Sequence, residues 1–386
     1  MKNIKTAIIG GGFMGRSHIE ALKRIGGVEV EAIVDSEISS AEEIADLYNI
    51  PQVYEDWEQA LKTDEIQVIH NCTPNNMHFK INKAALQAGK HVISEKPLTL
   101  TSEESAELVK IAEETGLVNT IDFNYRFYPL MRQAANLVSR GEMGSIYLVH
   151  GHYLQDWLYY DTDYNWRLEP EISGKSRAVA DIGSHWCDLV QFVTGAKITE
   201  VFADLTTIQK TRKKPTKQAE TFKGKEEALS EDYTEVPVGT EDAGSILVHF
   251  NNGAQGVFTV SQVSAGRKNH FWFEIDGSKK AISWDQEDPN SLWIGYREKA
   301  NEILPKDPSL LDEDARRYAH FPGGHPEGYP DGPKNLFRDV YDFIRRGGDP
   351  TAEEVSFPTF ADGHYENKIM EAVLESNEKQ QWIAVE

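Results

Sequence analysis

Two titratable side chains lie four residues apart in the segment Asp181–Asp188, where an apolar helical pattern begins. Residues at this spacing project from one face of an α-helix, so Asp181 and His185 are predicted to lie side by side. A histidine with a pKa near neutrality can take a proton from a hydroxyl group and return it. The pair is therefore a candidate for acid–base chemistry. The alternative is a histidine buried beside a carboxylate for structural reasons alone.

A second candidate site lies near the N-terminus in the stretch Gly10–Gly15, which has the form G-x-G-x-x-G and directly follows the apolar run Ile4–Ile9. In this pattern Gly10 permits a tight turn, Gly12 lets the backbone approach a pyrophosphate, and Gly15 lets the following helix pack close to the strand. The free N–H groups at the start of that helix favour phosphate binding. The alternative is an ordinary strand–turn–helix.

An acidic residue, Asp35, follows the second predicted strand Val28–Val34 and lies 20 positions after Gly15. A group that binds the hydroxyls of an adenosine ribose is expected at this place. The residues from 36 to 40 contain no arginine or lysine, and Asp35 and Glu37 would repel a ribose 2′-phosphate. The sequence therefore favours NAD over NADP.

Predicted strands and helices alternate through the first third of the chain, which is typical of a doubly wound parallel sheet. Ligands of such sheets bind at the carboxyl ends of the strands. Three groups of residues are predicted to lie there: Gly10–Gly15, the loop residues Asn75 and His78, and Glu95–Pro97.

The pattern changes from Asn124 onward, where strand-like runs between 198 and 296 follow one another with few helices. They predict a large, mostly antiparallel open sheet. The fold class is therefore α/β, with a dinucleotide-binding domain at 1–123 and a second domain at 124–386. The outer face of an open sheet needs cover, and a second subunit would provide it, so a homo-oligomer is expected.

Aromatic and polar residues are interleaved between Tyr147 and Arg167. The aromatic rings could form a core or interface, or a platform for the C–H faces of a sugar. Gln155, Trp166 and Arg167 are the candidate substrate contacts in this stretch. Four cations could instead meet a phosphate or carboxylate: Arg126, Arg167, Lys175 and Arg177.

The formal net charge of −22 argues against binding to nucleic acid or to anionic membranes. The chain has only two cysteines, Cys72 and Cys187, and no apolar run long enough to span a bilayer, so a reducing, cytoplasmic location without membrane association is expected. No spacing of His, Cys and Asp predicts a metal site. The charged segment 210–232 is predicted to be a solvated loop or arm, although its lysines could suggest a polyanion patch.

Taken together, the motifs resemble those of the Gfo/Idh/MocA family of NAD(P)-dependent sugar and polyol oxidoreductases, over nearly the whole chain. The matching segments are Gly10–Gly15, Thr73-Pro74-Asn75 with His78, Glu95-Lys96-Pro97, and Asp181-Ile182-Gly183-Ser184-His185. The Glu-Lys-Pro tripeptide combined with D-I-G-S-H is specific to this family. The segments Gly323–Asp331 and Trp166-Arg167 look like those of sugar and anhydrosugar dehydrogenases within it.

The resemblance implies a Rossmann domain followed by an α/β domain, a cis peptide bond before Pro97, and a site where Lys96, Asp181 and His185 meet beside the nicotinamide. The implied cofactor-binding residues are Gly10, Gly12, Phe13, Met14, Gly15, Asp35, Thr73, Pro74, Asn75, His78, Glu95 and Lys96. With the residues singled out above and His325 in the long loop 300–333, the candidate substrate-binding residues are Lys96, Tyr125, Arg126, Gln155, Trp166, Arg167, Asp181, His185 and His325.

The expected reaction is hydride transfer between a CH–OH group of a sugar, anhydrosugar or cyclitol and NAD. His185 is expected to be the general acid/base, Lys96 to polarise the reacting oxygen, and Asp181 to orient its neighbours. Two alternatives remain. One is an NAD-using glycosidase without net redox change, and the other is a non-catalytic sugar or dinucleotide sensor.

Overall fold

The computed structural model describes residues 3–216 and 233–386. The chain divides into two compact units. The first contains Met1–Phe127 and Tyr329–Asn367, and the second contains Tyr128–Gly328 and Lys368–Glu386. The first unit thus includes a segment near the C-terminus, 329–367, which the sequence-based division at 123/124 assigns to the second domain.

The first unit is built on six parallel strands that alternate with five helices. The strands are β1 (Ile4–Ile9), β2 (Val28–Val34), β3 (Gln52–Tyr54), β4 (Ile66–Asn71), β5 (His91–Ser94) and β6 (Asn119–Ile121). The helices are α1 (Phe13–Lys23), α2 (Ile38–Tyr48), α3 (Trp57–Lys62), α4 (Asn75–Gln87) and α5 (Ser102–Thr115). The strand order is β3-β2-β1-β4-β5-β6, and the predicted parallel sheet is confirmed.

The order of this sheet reverses beside β1, because β2 lies on one side of it and β4 on the other. Helices cover both faces of a doubly wound sheet, so its strands carry continuous apolar runs such as Ala7, Ile8 and Ile9, all of them buried. The crevice at the carboxyl ends of β1 and β4 is where such sheets bind ligands.

The second unit begins with a helix, α6 (Pro129–Ser139), and contains a mixed sheet of nine strands. Its other helices before residue 329 are α7 (Pro170–Ser173), α8 (Ser184–Thr194) and α9 (Glu313–Arg316). Its strands are β7 (Ile146–Leu154), β8 (Ile198–Thr206), β9 (Thr211–Pro215), β10 (Tyr233–Pro237), β11 (Ala243–Phe250), β12 (Gln255–Ser261), β13 (His270–Gly277), β14 (Ala281–Asp285), β15 (Ser291–Gly295) and β16 (Glu302–Pro305).

Two helices and a short strand complete the chain: α10 (Asp331–Arg345), α11 (Phe360–Lys379) and β17 (Ile383–Ala384). The large sheet has the order β16-β15-β14-β13-β7-β12-β11-β8-β17 and is antiparallel except where β7 meets β12. The prediction of a mostly antiparallel sheet is therefore confirmed. In the part of the chain that the structure describes, no helix is both long and apolar enough to cross a membrane.

The two faces of the large sheet differ in burial along each strand. On β11 the buried Ile246 and Val248 alternate with Ser245 and Leu247, which are exposed. On the buried side, Trp186 of α8 stacks on Phe258 of β12 with 4.5 Å between ring centroids. Among the described residues, the opposite face of this sheet exposes both apolar and polar side chains of β11 and of its neighbouring strands.

The charged arm is only partly a solvated loop. Strands β9 and β10 pair as a two-stranded antiparallel hairpin, and Arg212 on β9 is fully buried. The prediction of a solvated segment is wrong for this part, because Arg212 forms an ion pair with Asp242, which lies 30 residues away in the sequence. Five further charged residues of this segment lie outside the described residues: Lys217, Glu226, Glu227, Glu231 and Asp232.

Candidate active site

The glycine-rich turn between β1 and α1 is as tight as the sequence predicts. Gly10 has a φ of +98°, and a Cβ there would lie 2.6 Å from the carbonyl oxygen of Cys72. A Cβ on Gly15 would lie 1.9 Å from the carbonyl oxygen of Gly10. A Cβ on Gly12, in contrast, would meet nothing within 4 Å, so this backbone faces open space that a pyrophosphate could fill.

The carboxylate of Asp35 is fixed beside this turn by two backbone donors. Its Oδ2 accepts a hydrogen bond from the Gly11 N–H at 2.7 Å, and its Oδ1 accepts one from the Glu37 N–H at 3.0 Å. Phe13 and Met14 open α1, and both contact Tyr329. These residues fit the adenosine half of NAD, since the fixed carboxylate can accept hydrogen bonds from ribose hydroxyls.

His78 connects the loops that follow β4 and β5. Its Nδ1 lies 2.7 Å from the Pro97 carbonyl oxygen and its Nε2 lies 2.9 Å from that of Thr73. Burial lowers the pKa of His78, against the effect of these two carbonyls. The peptide bond between Lys96 and Pro97 is cis, which confirms that expectation. His78 thus ties the Thr73-Pro74-Asn75 turn to the loop that carries Lys96.

A buried polar cluster beneath these loops was missed by sequence reasoning. His18 Nε2 lies 3.0 Å from Glu95 Oε1 and 3.2 Å from Asp122 Oδ2, while His18 Nδ1 lies 2.9 Å from His70 Nδ1. Burial opposes a charge on His18, but the neighbouring Cys72, Asp122 and Glu95 hold its pKa well above the ordinary value. The cluster fixes Glu95, which is adjacent to Lys96 in the chain.

Groups of His and carboxylate side chains that could hold a metal ion occur at three places in the described residues: His18 with Glu95 and Asp122, His150 with Glu274 and Asp276, and His270 with Asp285 and Glu287. Each group joins residues from separate segments of the chain, so local spacing alone does not reveal it. In the first group the short His–carboxylate distances are those of hydrogen bonds.

A second group of candidate site residues, in the second unit, lies at the start of α8. Asp181 is part of a π-helical turn, Val179–Gly183, that precedes the α-helix carrying His185. The two residues therefore do not share one regular α-helix as predicted. Such turns frequently occur at functional sites because the wider turn redirects side chains. Both His185 and Tyr153 are largely buried, and their rings lie 6.3 Å apart.

The Asp181 carboxylate has polar neighbours on both oxygens. Its Oδ2 accepts a hydrogen bond from Gln262 Nε2 at 2.8 Å, and Arg167 Nε lies 3.7 Å from its Oδ1. The Arg167 guanidinium also lies 4.4 Å from the centre of the Trp166 ring. The structure thus brings together three of the predicted residues, Asp181, Arg167 and Trp166.

Other predicted aromatic and polar residues of this stretch have structural partners. Trp157 and Tyr164 pack against a small core of Leu158, Leu168 and Val238. Gln155 accepts a hydrogen bond from Trp157 Nε1 at 2.7 Å and donates to Asn269 Oδ1 at 3.0 Å. Gln155 therefore holds the segment that leads to Trp166.

The remaining predicted substrate contacts are distributed over the two units. Tyr125 and Arg126 belong to the first unit, where Tyr125 is buried and Arg126 forms an ion pair with Asp362 at 3.1 Å. His325 is exposed in a loop of the second unit. Lys96 belongs to the first unit and the Asp181–His185 pair to the second, so their meeting beside the nicotinamide stays a prediction.

Comparisons with known proteins match segments of both units. Residues 4–123 match a model described as "Oxidoreductase family, NAD-binding Rossmann fold", and residues 131–283 match the "GFO/IDH/MocA C-terminal domain". The crystal structure of an oxidoreductase domain protein from Kribbella flavida is 30% identical, with a TM-score of 0.88 and 100% of both chains covered. The chain belongs to the GFO/IDH/MocA family.

Two further matches are levoglucosan dehydrogenases. The enzyme of Pseudarthrobacter phenanthrenivorans is 29% identical, with 100% of this chain and 99% of the relative covered. A solved levoglucosan dehydrogenase in complex with NADH and L-sorbose is 28% identical, with a TM-score of 0.89 and full coverage of both chains. The GFO/IDH/MocA chain described here is thus an NAD-binding oxidoreductase and an NAD-dependent dehydrogenase.

Proposed function

We propose that this chain oxidises a CH–OH group of an uncharged sugar, anhydrosugar or cyclitol with NAD. The observation that carries the proposal is the Asp181 constellation, in which Gln262 and Arg167 flank a carboxylate one turn before His185. The full-length similarity to levoglucosan dehydrogenase, whose name states an anhydrosugar substrate, supports the same substrate class.

The protein's part in the reaction is to move the hydroxyl proton and to stabilise the reacting oxygen. When bound, NAD supplies the acceptor for the hydride. His185 takes the hydroxyl proton as general base and returns it in the reverse reaction. Lys96 stabilises negative charge as it develops on the oxygen, and Asp181 orients His185 or the substrate hydroxyl.

An uncharged substrate is favoured over a phosphorylated one because three of the four candidate cations already have partners, whereas the fourth, Lys175, is exposed. Arg177 is buried and ion-paired with Asp242, and Arg126 is ion-paired with Asp362. Arg167 lies between Trp166 and Asp181, which leaves it suited to donate hydrogen bonds to sugar hydroxyls.

A panel of sugars, anhydrosugars and polyols should be tested with NAD and with NADP, and reduced cofactor measured by absorbance. We expect reduction of NAD with at least one uncharged member and slower reduction of NADP. Cleavage of a glycoside without accumulation of NADH would support the glycosidase alternative. Tight sugar binding without any NAD reduction across the panel would support a sensor.

The outer face of the nine-stranded sheet supports a proposal that the protein forms a homo-oligomer, either a dimer or a tetramer. This face exposes apolar side chains, such as Leu148 on β7 and Leu247 on β11, beside Ser245 and Glu200. A second copy that covers this face would remove the apolar surface from water. The two free cysteines, Cys72 and Cys187, support a reducing cytoplasmic location.

A further inference from the structure

Gln262 is the first residue after β12 and is completely buried. A buried amide needs partners for both its oxygen and its nitrogen, because an unpaired polar atom in the interior has lost its hydrogen bonds to water without replacement. Both atoms of this amide have charged partners from other parts of the unit. Its Nε2 donates to Asp181 Oδ2 at 2.8 Å, and its Oε1 accepts from Arg177 Nη1 at 2.8 Å.

These two partners fix the orientation of the amide. A guanidinium can only donate hydrogen bonds and an ionised carboxylate can only accept them. The oxygen of Gln262 must therefore face Arg177, and its NH2 group must face Asp181. In this orientation the amide stabilises the ionised form of Asp181 and holds one of its oxygens in place.

Arg177 is completely buried, and its guanidinium has hydrogen-bond partners besides Gln262. Its Nη2 forms an ion pair with Asp242 Oδ1, and its Nε donates to Thr240 Oγ1 at 3.2 Å. The backbone N–H of Arg177 also donates, to Glu241 Oε1 at 2.8 Å. The guanidinium thus has little freedom to turn away from Gln262.

The same Asp242 carboxylate also anchors the aromatic segment. Its Oδ1 lies 2.8 Å from Arg212 Nη2, and Arg212 donates to the carbonyl oxygens of Leu158 and Tyr160, both at 2.9 Å. Burial alone would raise the pKa of Asp242, but Arg177, Arg212 and the Gln209 N–H together lower it. Asp242 therefore remains ionised between two buried arginines.

We propose that Gln262 is a positioning residue for the dehydrogenase reaction, holding Asp181 ionised and in one orientation through a buried chain that runs from Gln262 to Arg177 and Asp242. The inference rests on the proposed role of Asp181. Within the second unit, Arg167 Nε lies 3.7 Å from Asp181 Oδ1, His185 follows Asp181 in the chain on α8, and Arg177 lies behind the amide.

The test is Gln262→Glu, which keeps the shape of the side chain and its acceptor toward Arg177. The substitution replaces the NH2 donor with a carboxylate oxygen next to Asp181, and two carboxylates that share a site raise the pKa of one of them. We expect kcat to fall at least tenfold at pH 7, KM for the sugar to change less than threefold, and the acidic limb of the kcat pH profile to move up by at least one pH unit.

A matched control is Gln133→Glu. Gln133 on α6 is also buried in the second unit and also donates through Nε2 to an aspartate, Asp312 Oδ2, at 2.8 Å. This variant introduces the same charge beside a carboxylate outside the proposed site. We expect it to lose stability but to retain the wild-type kcat and pH profile.

The inference is overturned if Gln262→Glu keeps the wild-type kcat and pH profile, or if both Glu variants change them equally. If Gln262→Glu does not fold, Gln262→Met removes the donor without adding charge, and unchanged kcat in that variant overturns the inference. Asp181→Asn is measured in parallel. Full turnover of Asp181→Asn refutes the role of Asp181 itself, whereas its inactivity beside a normal Gln262→Glu refutes only the role of Gln262.

Discussion

Asp35→Asn should weaken NADH binding and shift cofactor preference toward NADPH. The Asp35 carboxylate accepts one hydrogen bond from the Gly11 N–H and one from the Glu37 N–H, and an amide of the same shape has only one oxygen for these two donors. The amide then has no second ionised oxygen for the ribose hydroxyls, and losing one cofactor hydrogen bond to an ionised acceptor costs about 1.5–3 kcal/mol. Because every 1.4 kcal/mol is tenfold, the Kd for NADH should rise by about 10–100-fold.

For NADPH, the same substitution also removes an electrostatic repulsion, and this contribution strengthens binding. A ribose 2′-phosphate about 4 Å from the Asp35 carboxylate would be repelled by roughly 1 kcal/mol in water and by up to about 4 kcal/mol at an effective dielectric of 20. Asp35→Asn removes this repulsion. The ratio of the Kd for NADPH to that for NADH should therefore fall at least about fivefold, and the change should shrink as salt is added.

Direct titration of the protein with NADH and NADPH, followed by fluorescence, measures both constants without a known substrate. The control is Asp46→Asn, which removes the same charge from an exposed position on α2 of the same unit. It should leave both constants within twofold of wild type. An unchanged Kd ratio in a folded Asp35→Asn protein would refute the reasoning, because it would mean that this carboxylate does not face the ribose.

Three further predictions test other parts of the molecule. His185→Ala should lose most turnover and still bind NADH, and wild-type-like turnover would remove His185 from the mechanism. Burial lowers the pKa of His91 to about 4, and the Nδ1 of its neutral ring accepts a hydrogen bond from the Val118 N–H. The unfolded chain therefore binds a proton at a higher pH than the folded protein does. The free energy of unfolding should fall as pH drops from about 6.5 toward 4, by at most about 1.4 kcal/mol per pH unit. Denaturant unfolding should show a shallower pH dependence for His91→Gln than for wild type, whereas parallel curves would exclude this cause. Leu247→Glu should lower the mass measured by light scattering if the sheet face is an oligomer interface, whereas the control Leu47→Glu on α2 should not.

The features that could be predicted from the sequence are those in which neighbouring residues determine the geometry. The turn needs glycine at positions 10 and 15, because the backbone of Cys72 and that of Gly10 leave no room there for a Cβ. Asp35 follows its strand at the expected distance and lies beside the turn. The alternation of strands and helices likewise predicted the parallel sheet, since each element carries its own periodic pattern.

The hydrogen bonds and ion pairs that hold the candidate site residues in place could not be predicted in this way, because the two partners of each are distant in the chain. His18 meets Glu95 and Asp122 only after α1, β5 and β6 assemble on one sheet. Arg212 looked like part of a solvated basic segment, and only the tertiary structure pairs it with Asp242.

By itself the sequence determined the cofactor turn, the acidic residue beside it and the residue types available for acid–base chemistry, because these depend on local backbone geometry and on the side chains present. Only the tertiary structure decided which partners these side chains have. The Gln262 amide lies 81 residues from Asp181 in the chain, yet the two meet at 2.8 Å in the buried interior of the second unit. Burial removes water as a hydrogen-bond partner, so the protein's own polar groups must take its place there.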